Sequence, residues 1–146
     1  MALKRLDNVA VVVDDLDGAI AFFTELGMEL EGRATVEGDS VDRLVGLHGT
    51  RSDIAMMRTP DGHGRLELTR YQHPPAVGPD PGSEPANTRG MSRVMFNVDD
   101  LDDAVKRLAV LGGVLVGEIV RYEDAYRLCY LRGPEGIIVG LAEDLG

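Results

Sequence analysis

The hydrophobic and polar positions of this chain repeat at an interval of 85 residues. Residues 8–17 read NVAVVVDDLD, and residues 93–102 read RVMFNVDDLD. Each copy begins with an apolar run of strand length and continues with aspartates that suit a helix N-terminus. Apolar residues at helical spacing follow in both copies. The repeat therefore predicts a fold made of two equivalent halves.

The two halves are predicted to have the same order of elements. In the first half we expect a strand at 6–13, a helix at 16–26, a strand at 28–37, a short helix at 40–46, and strands at 52–58 and 64–71. In the second half we expect a strand at 91–98, a helix at 101–111, and strands at 114–121, 126–132 and 136–142. Turns rich in Gly and Pro join the last two strands of each half, at 60–64 and 133–136. Each half is thus a β-α-β-β-β module, and the fold class is α+β.

A proline-rich segment separates the first module, 1–71, from the second, 91–146. Residues 72–90 read QHPPAVGPDPGSEPANTRG and include five of the seven prolines, which exclude a helix or strand over most of this length. We interpret the segment as a linker within one two-module domain. A flap over a cavity, or an arm that embraces a second subunit, are the alternatives.

Strand parity separates two faces of the predicted mixed sheet. One face of the first strand of each half is uniformly apolar and is expected to pack under the helix: Val9, Val11 and Val13, then Val94, Phe96 and Val98. The opposite face holds more polar residues: Asn8, Ala10, Val12, Arg93, Met95 and Asn97 on the first strands, and Arg65, Glu67, Thr69, Ile138, Gly140 and Ala142 on the last strands. We expect the sheet to curve into a cup with the helices outside. A concave face with a few polar groups is a candidate site for a small ligand.

Four segments of the chain resemble the vicinal oxygen chelate superfamily, which includes glyoxalase I, bleomycin-resistance proteins and extradiol dioxygenases. They are VAVVVDDLDGAIAFFTELG, GRLELTRY, GMSRVMFNVDDLDDAV and YLRGPEGIIVGLAE. The resemblance implies paired β-α-β-β-β modules, a cupped sheet and often a homodimer. In metal-dependent members it also implies a divalent ion held by His, Glu or Gln on the cup-facing strands.

Asn8, Glu67, Arg93 and Gly140 occupy the positions at which the resemblance places the metal ligands. Only Glu67 is an ordinary ligand, because a neutral amide binds transition metals weakly and an arginine has no lone pair to offer. A catalytic metal usually has about three protein ligands. No metal or other cofactor is therefore predicted. A divalent metal remains the alternative, with His48 or His73 folding over the cup as an added ligand.

Three functions stay open for this degenerate site. The favoured one is a protein that binds a small anionic or aromatic molecule in the cup, as the resistance proteins of the superfamily do. The second is a metal-free lyase or isomerase, in which Glu67 acts as acid or base and Arg93 binds an anionic oxygen. The third is a divalent-metal lyase, isomerase or dioxygenase with atypical ligands. A purely structural ion pair between Glu67 and Arg93 is the alternative for these two side chains.

Further side chains are candidate ligand contacts. They are Arg65, Thr69, Met95, Asn97, Tyr126 and Arg127, with Tyr71, Tyr122 and Tyr130 as further aromatic walls. Several arginines near the site would favour an anionic ligand.

The composition limits which classes of partner and which cellular compartment are expected. The 146 residues include 15 Lys and Arg against 25 Asp and Glu, a formal net charge of −10, which argues against nucleic acid as a partner. No stretch approaches the roughly 18 apolar residues of a membrane span. The N-terminus lacks a signal-peptide cleavage site, and Cys129 is the single cysteine. We expect a cytoplasmic protein, a homodimer, that binds a small molecule and no membrane.

Overall fold

Each half of the chain forms its own β-sheet, with a helix after the first strand of the sheet. The computed structural model describes residues 3–78, 82 and 84–146. The chain divides into two units, residues 1–78 and 79–146. They are called the first unit and the second unit below.

The first unit contains four strands and two helices. They are β1 (Val9–Val12), α1 (Leu16–Leu26), β2 (Glu29–Glu37), α2 (Asp39–Val45), β3 (Arg51–Arg58) and β4 (Arg65–His73). The strand order across the sheet is β1-β4-β3-β2. β1 runs parallel to β4, and the other neighbours are antiparallel.

The second unit contains five strands, one α-helix and a 3₁₀ helix in its described part. They are β5 (Val94–Asn97), α3 (Leu101–Val110), β6 (Val114–Leu115), β7 (Val120–Tyr122), β8 (Tyr126–Arg132), the 3₁₀ helix Pro134–Gly136, and β9 (Ile138–Asp144). The strand order is β5-β9-β8-β6, and β7 also pairs with β8. β5 runs parallel to β9.

The α+β class and the repeated β-α-β-β-β order are confirmed. The single strand predicted over 114–121 is wrong, because the chain pairs with β8 in two short pieces, β6 and β7. Between them only the Val116 amide continues the pairing, donating to the Tyr130 carbonyl over 2.9 Å. Gly117 follows directly, and glycine has little preference for extended backbone.

Both repeats start their helix with the same aspartate cap. Asp15 accepts a hydrogen bond from the Gly18 amide at 2.9 Å, and Asp100 accepts one from the Asp103 amide at 3.0 Å. A side-chain oxygen in this place satisfies an amide that the helix itself leaves unpaired. The acidic turns predicted from the repeat therefore act as N-caps in both units.

The apolar face predicted by strand parity is the buried one in each sheet. In the first unit the buried apolar side chains are Val13, Leu16, Ala19, Phe22, Phe23, Met28, Ala55, Met57, Leu66 and Leu68. In the second unit they are Leu101, Leu108, Cys129, Leu131, Val139 and Leu141, whereas Ile138 is buried on the opposite face of its sheet. α1 contacts β3 and β4, and α3 contacts β9. The core of each unit thus lies between its sheet and its long helix.

The predicted linker, 72–90, begins inside a strand, since β4 continues through His73. Residues 79–81 and 83 of this segment lie outside the described residues. Near its end, the Ser92 hydroxyl donates to the Ala86 carbonyl at 3.0 Å, and Arg132 of β8 donates to the Glu84 carbonyl. None of the described helices is long and apolar enough to cross a membrane.

Candidate functional site

Each sheet has a second face, opposite its long helix, and most of the predicted site residues lie on these two faces. They are called the open faces. Val12 on the open face of the first unit is 51% exposed, and Met95 on that of the second is 43% exposed, whereas the helix-side Leu68 and Leu141 are fully buried. At these positions the open faces carry the more exposed side chains, although Thr69 and Ile138 on the same faces are buried.

Glu67 lies in the middle of the open face of the first unit. On β4 it stands beside Ala10 of β1 and Met56 of β3. The side chain is half-buried, and its Oε2 accepts a hydrogen bond from the Thr69 hydroxyl at 2.8 Å. Thr69 itself is buried. One carboxylate oxygen is thus oriented by the protein among small and apolar neighbours.

Three other predicted residues of the first unit lie near the ends of β1 and β4. Arg65 at the start of β4 forms an ion pair with Glu31, at 2.5 Å. Asn8 directly precedes β1 and is half-buried. Tyr71, a predicted aromatic wall, is half-buried near the end of β4.

The centre of the open face of the second unit is filled by Met95 and Tyr130. These residues flank Gly140 on the neighbouring strands, β5 and β8. A Cβ atom placed on Gly140 would lie 2.9 Å from Met95 Sδ and 3.4 Å from Tyr130 Cδ1. A side chain at position 140 would therefore require the end of the Met95 side chain to move.

Arg93 adds its charge to this cluster. Its guanidinium carbon lies 4.8 Å from the centroid of the Tyr130 ring, in the geometry of a cation–π contact. Asn97, at the other end of β5, is exposed and donates to Asp144 of β9 over 3.3 Å. The pairing of Glu67 with Arg93 stays a prediction.

The tyrosines of the β7–β8 hairpin extend this surface. Tyr122 and Tyr126 are cross-strand partners whose rings stack with a centroid distance of 5.8 Å and an interplanar angle of 10°. They are 54% and 36% exposed. Tyr126, Leu128 and Tyr130 alternate along β8 and so share the open face.

Arg127 lies on the other side of β8, against α3. Its guanidinium donates to both carboxylate oxygens of Asp102, each over 2.9 Å, and a third contact reaches Glu143 at 3.5 Å. The hydrogen bonds from Arg127 lower the pKa of Asp102. This arginine joins the helix to the sheet, and its ligand-binding role stays a prediction.

The usual metal positions do not fit a divalent ion in the second unit. Gly140 has no side chain, and Arg93 places a cation over an aromatic ring. Within the described residues, no group of three His, Cys, Asp or Glu side chains is placed to hold a metal ion. His48 and His73 are both exposed, and the ring of His73 lies close to Gly49.

Sequence reasoning missed the two contacts that define the second open face. It placed Met95 and Arg93 correctly by parity but did not connect them to Tyr130. The signal was present in the alternation of β8 and β9, since a tight hairpin at 133–136 sets Tyr130 opposite Gly140. The side-chain placement of Arg127 also follows from parity, because buried Cys129 and Leu131 share its side of β8.

Comparison with known proteins identifies the family. The model of the Glyoxalase/Bleomycin resistance protein/Dioxygenase superfamily matches residues 5–141. A glyoxalase family protein from Bacillus cereus is 53% identical, with a TM-score of 0.96 over 100% of this chain and 97% of that one. The chain therefore belongs to this superfamily.

More distant structures share the fold. A mutant of glyoxalase I from Zea mays is 18% identical, with a TM-score of 0.68 over 97% of this chain and 46% of that one. A mutant of the fosfomycin resistance protein FosX from Listeria monocytogenes is 13% identical, with a TM-score of 0.62 over 99% of this chain and 92% of that one. No curated protein matches the chain.

Proposed function

We propose that this superfamily member binds a small organic molecule at the open faces of its sheets, without a divalent metal at the usual four positions. The observation that supports this most directly is the filling of the space at Gly140 by Met95 and Tyr130. A metal site needs about three protein ligands with free lone pairs, and these positions offer the Glu67 carboxylate and the weak amide of Asn8.

The surroundings of the open faces support a binding role. Apolar and aromatic side chains with a few oriented polar groups are the usual composition of small-ligand sites. The first unit offers the Glu67 carboxylate with the Thr69 hydroxyl, and the second offers Arg93 with Tyr130. The FosX mutant with the same fold was crystallised with Mn(II) and 1S,2S-dihydroxypropylphosphonic acid. A small oxygenated ligand is therefore a sensible starting class, while the metal is not carried over.

Metal analysis tests the metal-free part of the proposal. Protein purified without chelators is expected to contain far less than one equivalent of zinc, nickel, manganese or iron. Its melting temperature should not change when a chelator is added or when any of these ions is supplied, since a ligand that binds only the folded state raises the melting temperature. A stoichiometric metal that stabilises the fold would contradict the proposal.

A thermal-shift screen tests the binding part. Small aromatic, dicarbonyl and acyl-thioester compounds are the classes to screen. A reproducible rise in melting temperature with one class, saturating with concentration, is expected. A screen in which no class stabilises the protein counts against a small-molecule function.

A metal-free lyase or isomerase is the second candidate function. It is favoured by the placement of Glu67, a half-buried carboxylate with one oxygen that accepts a hydrogen bond from Thr69. Such a group can accept a proton from a bound molecule. Once a ligand is known, Glu67→Gln should abolish its conversion and leave its binding within a few-fold of the wild type.

A matched control separates chemistry from a general effect of removing a carboxylate. Glu29→Gln removes an exposed carboxylate that pairs with Arg58 at the edge of the same sheet, and it should leave conversion unchanged. If Glu67→Gln also leaves conversion unchanged, Glu67 has a structural role. The homodimer expected from the resemblance is checked by sedimentation equilibrium.

A further inference from the structure

Arg93 differs from most arginines of this acidic protein in what it contacts. Most of the arginines have a carboxylate oxygen within 4.0 Å. The guanidinium of Arg93 instead lies over the Tyr130 ring, and the described residues of the second unit place no carboxylate within ion-pair distance of it. Within its own unit, Arg93 therefore keeps its guanidinium donors for another anion.

The surface next to Arg93 includes apolar and aromatic side chains. Met95 and Tyr130 lie on the strands that flank Gly140, and both reach the space that a side chain at position 140 would take. The half-buried Tyr130 ring lies under the Arg93 guanidinium. An arginine stacked on a ring keeps its edge of N–H donors free for a planar anion.

An aromatic strip leads away from this anion contact. Along β8, Leu128 and Tyr126 follow Tyr130 on the same face, and two residues of strand span about 7 Å. Cross-strand from them on β7 lie Val120 and Tyr122. The stacked, exposed rings of Tyr122 and Tyr126 close the strip about 13 Å from Tyr130 along the strand.

We propose that the open face of the second unit binds an aromatic carboxylate, with the carboxylate on the Arg93 guanidinium and the ring on the strip formed by Leu128, Tyr126 and Tyr122. The inference rests on the proposed function and names its ligand class. The charge of Arg93 and the spacing of the strip fit an acid with one or two fused rings. A bidentate contact between the guanidinium and the carboxylate gives direction, and the apolar strip excludes water from the ring.

The test uses naphthoate as probe, with naphthamide as its neutral analogue and cyclohexanecarboxylate as its non-aromatic analogue. Affinities are measured by calorimetry with the full chain. Naphthoate should bind at least tenfold more tightly than naphthamide, because only the acid forms a charge-assisted contact. It should also bind several-fold more tightly than cyclohexanecarboxylate, and its affinity should fall as salt is added.

Variants assign the contact to its residues. Arg93→Gln should weaken the binding of naphthoate at least tenfold and leave the binding of naphthamide unchanged. The affinity of Arg93→Lys for naphthoate should lie between those of the wild type and Arg93→Gln, because lysine keeps the charge and loses the planar arrangement of donors. Tyr126→Leu should weaken the binding of naphthoate several-fold and should weaken the binding of cyclohexanecarboxylate less. Arg107→Gln is the matched control, an exposed arginine of the same unit that pairs with Asp103, and it should bind as the wild type does.

The inference is overturned if naphthoate does not bind at millimolar concentration, if naphthamide binds equally well, or if both Arg93 variants bind naphthoate like the wild type. None of these results touches the proposed function, which the metal analysis and the wider screen decide. Circular dichroism of each variant establishes that it is folded. If Arg93→Gln does not fold, Arg93→Lys with the salt dependence decides the question.

Discussion

The two units have the same backbone register and opposite side-chain sizes at the centre of their open faces. In the first unit small Ala10 of β1 stands beside Glu67 of β4, and in the second unit large Met95 of β5 stands beside Gly140 of β9. Ala10 and Met95 are equivalent in the repeat, so Glu67 and Gly140 are equivalent too. In each unit, the strand pair thus combines one large side chain with one small residue, and the large side chain comes from β4 in the first unit and from β5 in the second.

The difference in side-chain size explains why the first unit has a carboxylate, Glu67, where the second unit has Gly140. A side chain at 140 would compete with Met95 and Tyr130 for the same space. In the first unit the methyl group of Ala10 leaves room for Glu67 and for the Thr69 hydroxyl that orients it. At the centre of its open face the first unit thus carries a carboxylate, Glu67, and the second unit carries none.

The largest effects are expected at the core positions where the units should be alike. Leu68 and Leu141 hold equivalent places on β4 and β9, and both are fully buried. Leu68→Ala and Leu141→Ala should each lower the free energy of unfolding by about 2–5 kcal/mol, from lost burial and the cavity left behind. Urea unfolding measures both. A cost below about 1 kcal/mol for either one would show that the two cores are not equivalent.

Exposed apolar side chains provide the controls for this pair. Leu44 and Val110 are 85% and 84% exposed, one in each unit. Leu44→Ala and Val110→Ala should change the free energy of unfolding by no more than about 0.5 kcal/mol.

The element order and the open faces could be predicted because they depend on local patterns. The 85-residue repeat, the alternation of apolar residues and the capping aspartates Asp15 and Asp100 are all visible in the sequence. The same patterns cannot show where pairing stops. The division of the segment after α3 into β6 and β7 depends on which residues reach β8, and no local signal sets that.

The same patterns could place Tyr130 opposite Gly140, but they could not show which side chains touch on the second open face. Arg93 and Tyr130 lie on opposite sides of β9, and their contact passes over Gly140. It depends on the register of two strand pairs and on side-chain conformations. Met95 reaches into the space beside Gly140, which has no side chain of its own.

The next largest effect tests this filling directly. Gly140→Ala places a methyl group 2.9 Å from Met95 Sδ, and it should cost about 1–2 kcal/mol of unfolding free energy, because the end of the Met95 side chain has to move aside. Met95→Ala in the same chain should recover part of that loss, giving a coupling energy of about 0.5 kcal/mol or more. Gly117→Ala is the control, since nothing lies within 4 Å of its added methyl group. Equal effects at 140 and 117 would mean that crowding by Met95 does not account for the missing ligand at position 140.

A smaller effect, equal in the two units, is expected at the helix caps. Asp15→Ala and Asp100→Ala should each cost about 1 kcal/mol, because each leaves a first-turn amide without its partner. Asn at either position should recover most of this, since it is an equally good N-cap. Thermal unfolding of the four variants measures the losses. Unequal costs would show that the repeated turn has different roles in the two halves.

The smallest expected effect distinguishes the units by pH. Asp17 and Asp102 are equivalent in the repeat, but Asp17 receives one hydrogen bond from Arg33 of β2, whereas Asp102 receives two from Arg127 of β8. Arg127 lowers the pKa of Asp102, so the ionised carboxylate stabilises the folded state above the ordinary aspartate pKa of about 4. This contribution is lost as the pH falls through the lowered pKa of the folded protein.

Asp102→Asn should therefore be most destabilising near neutral pH, and its difference from the wild type should shrink as the pH falls below about 4. Asp17→Asn should show a smaller difference at every pH, because its ion pair is a single exposed contact. Urea midpoints measured from pH 7 down to pH 3 give both curves. If the difference for Asp102→Asn grows on acidification, the ion pair of Asp102 with Arg127 does not stabilise the fold. If the two curves are identical, the ion pairs of Asp17 and Asp102 stabilise their units equally.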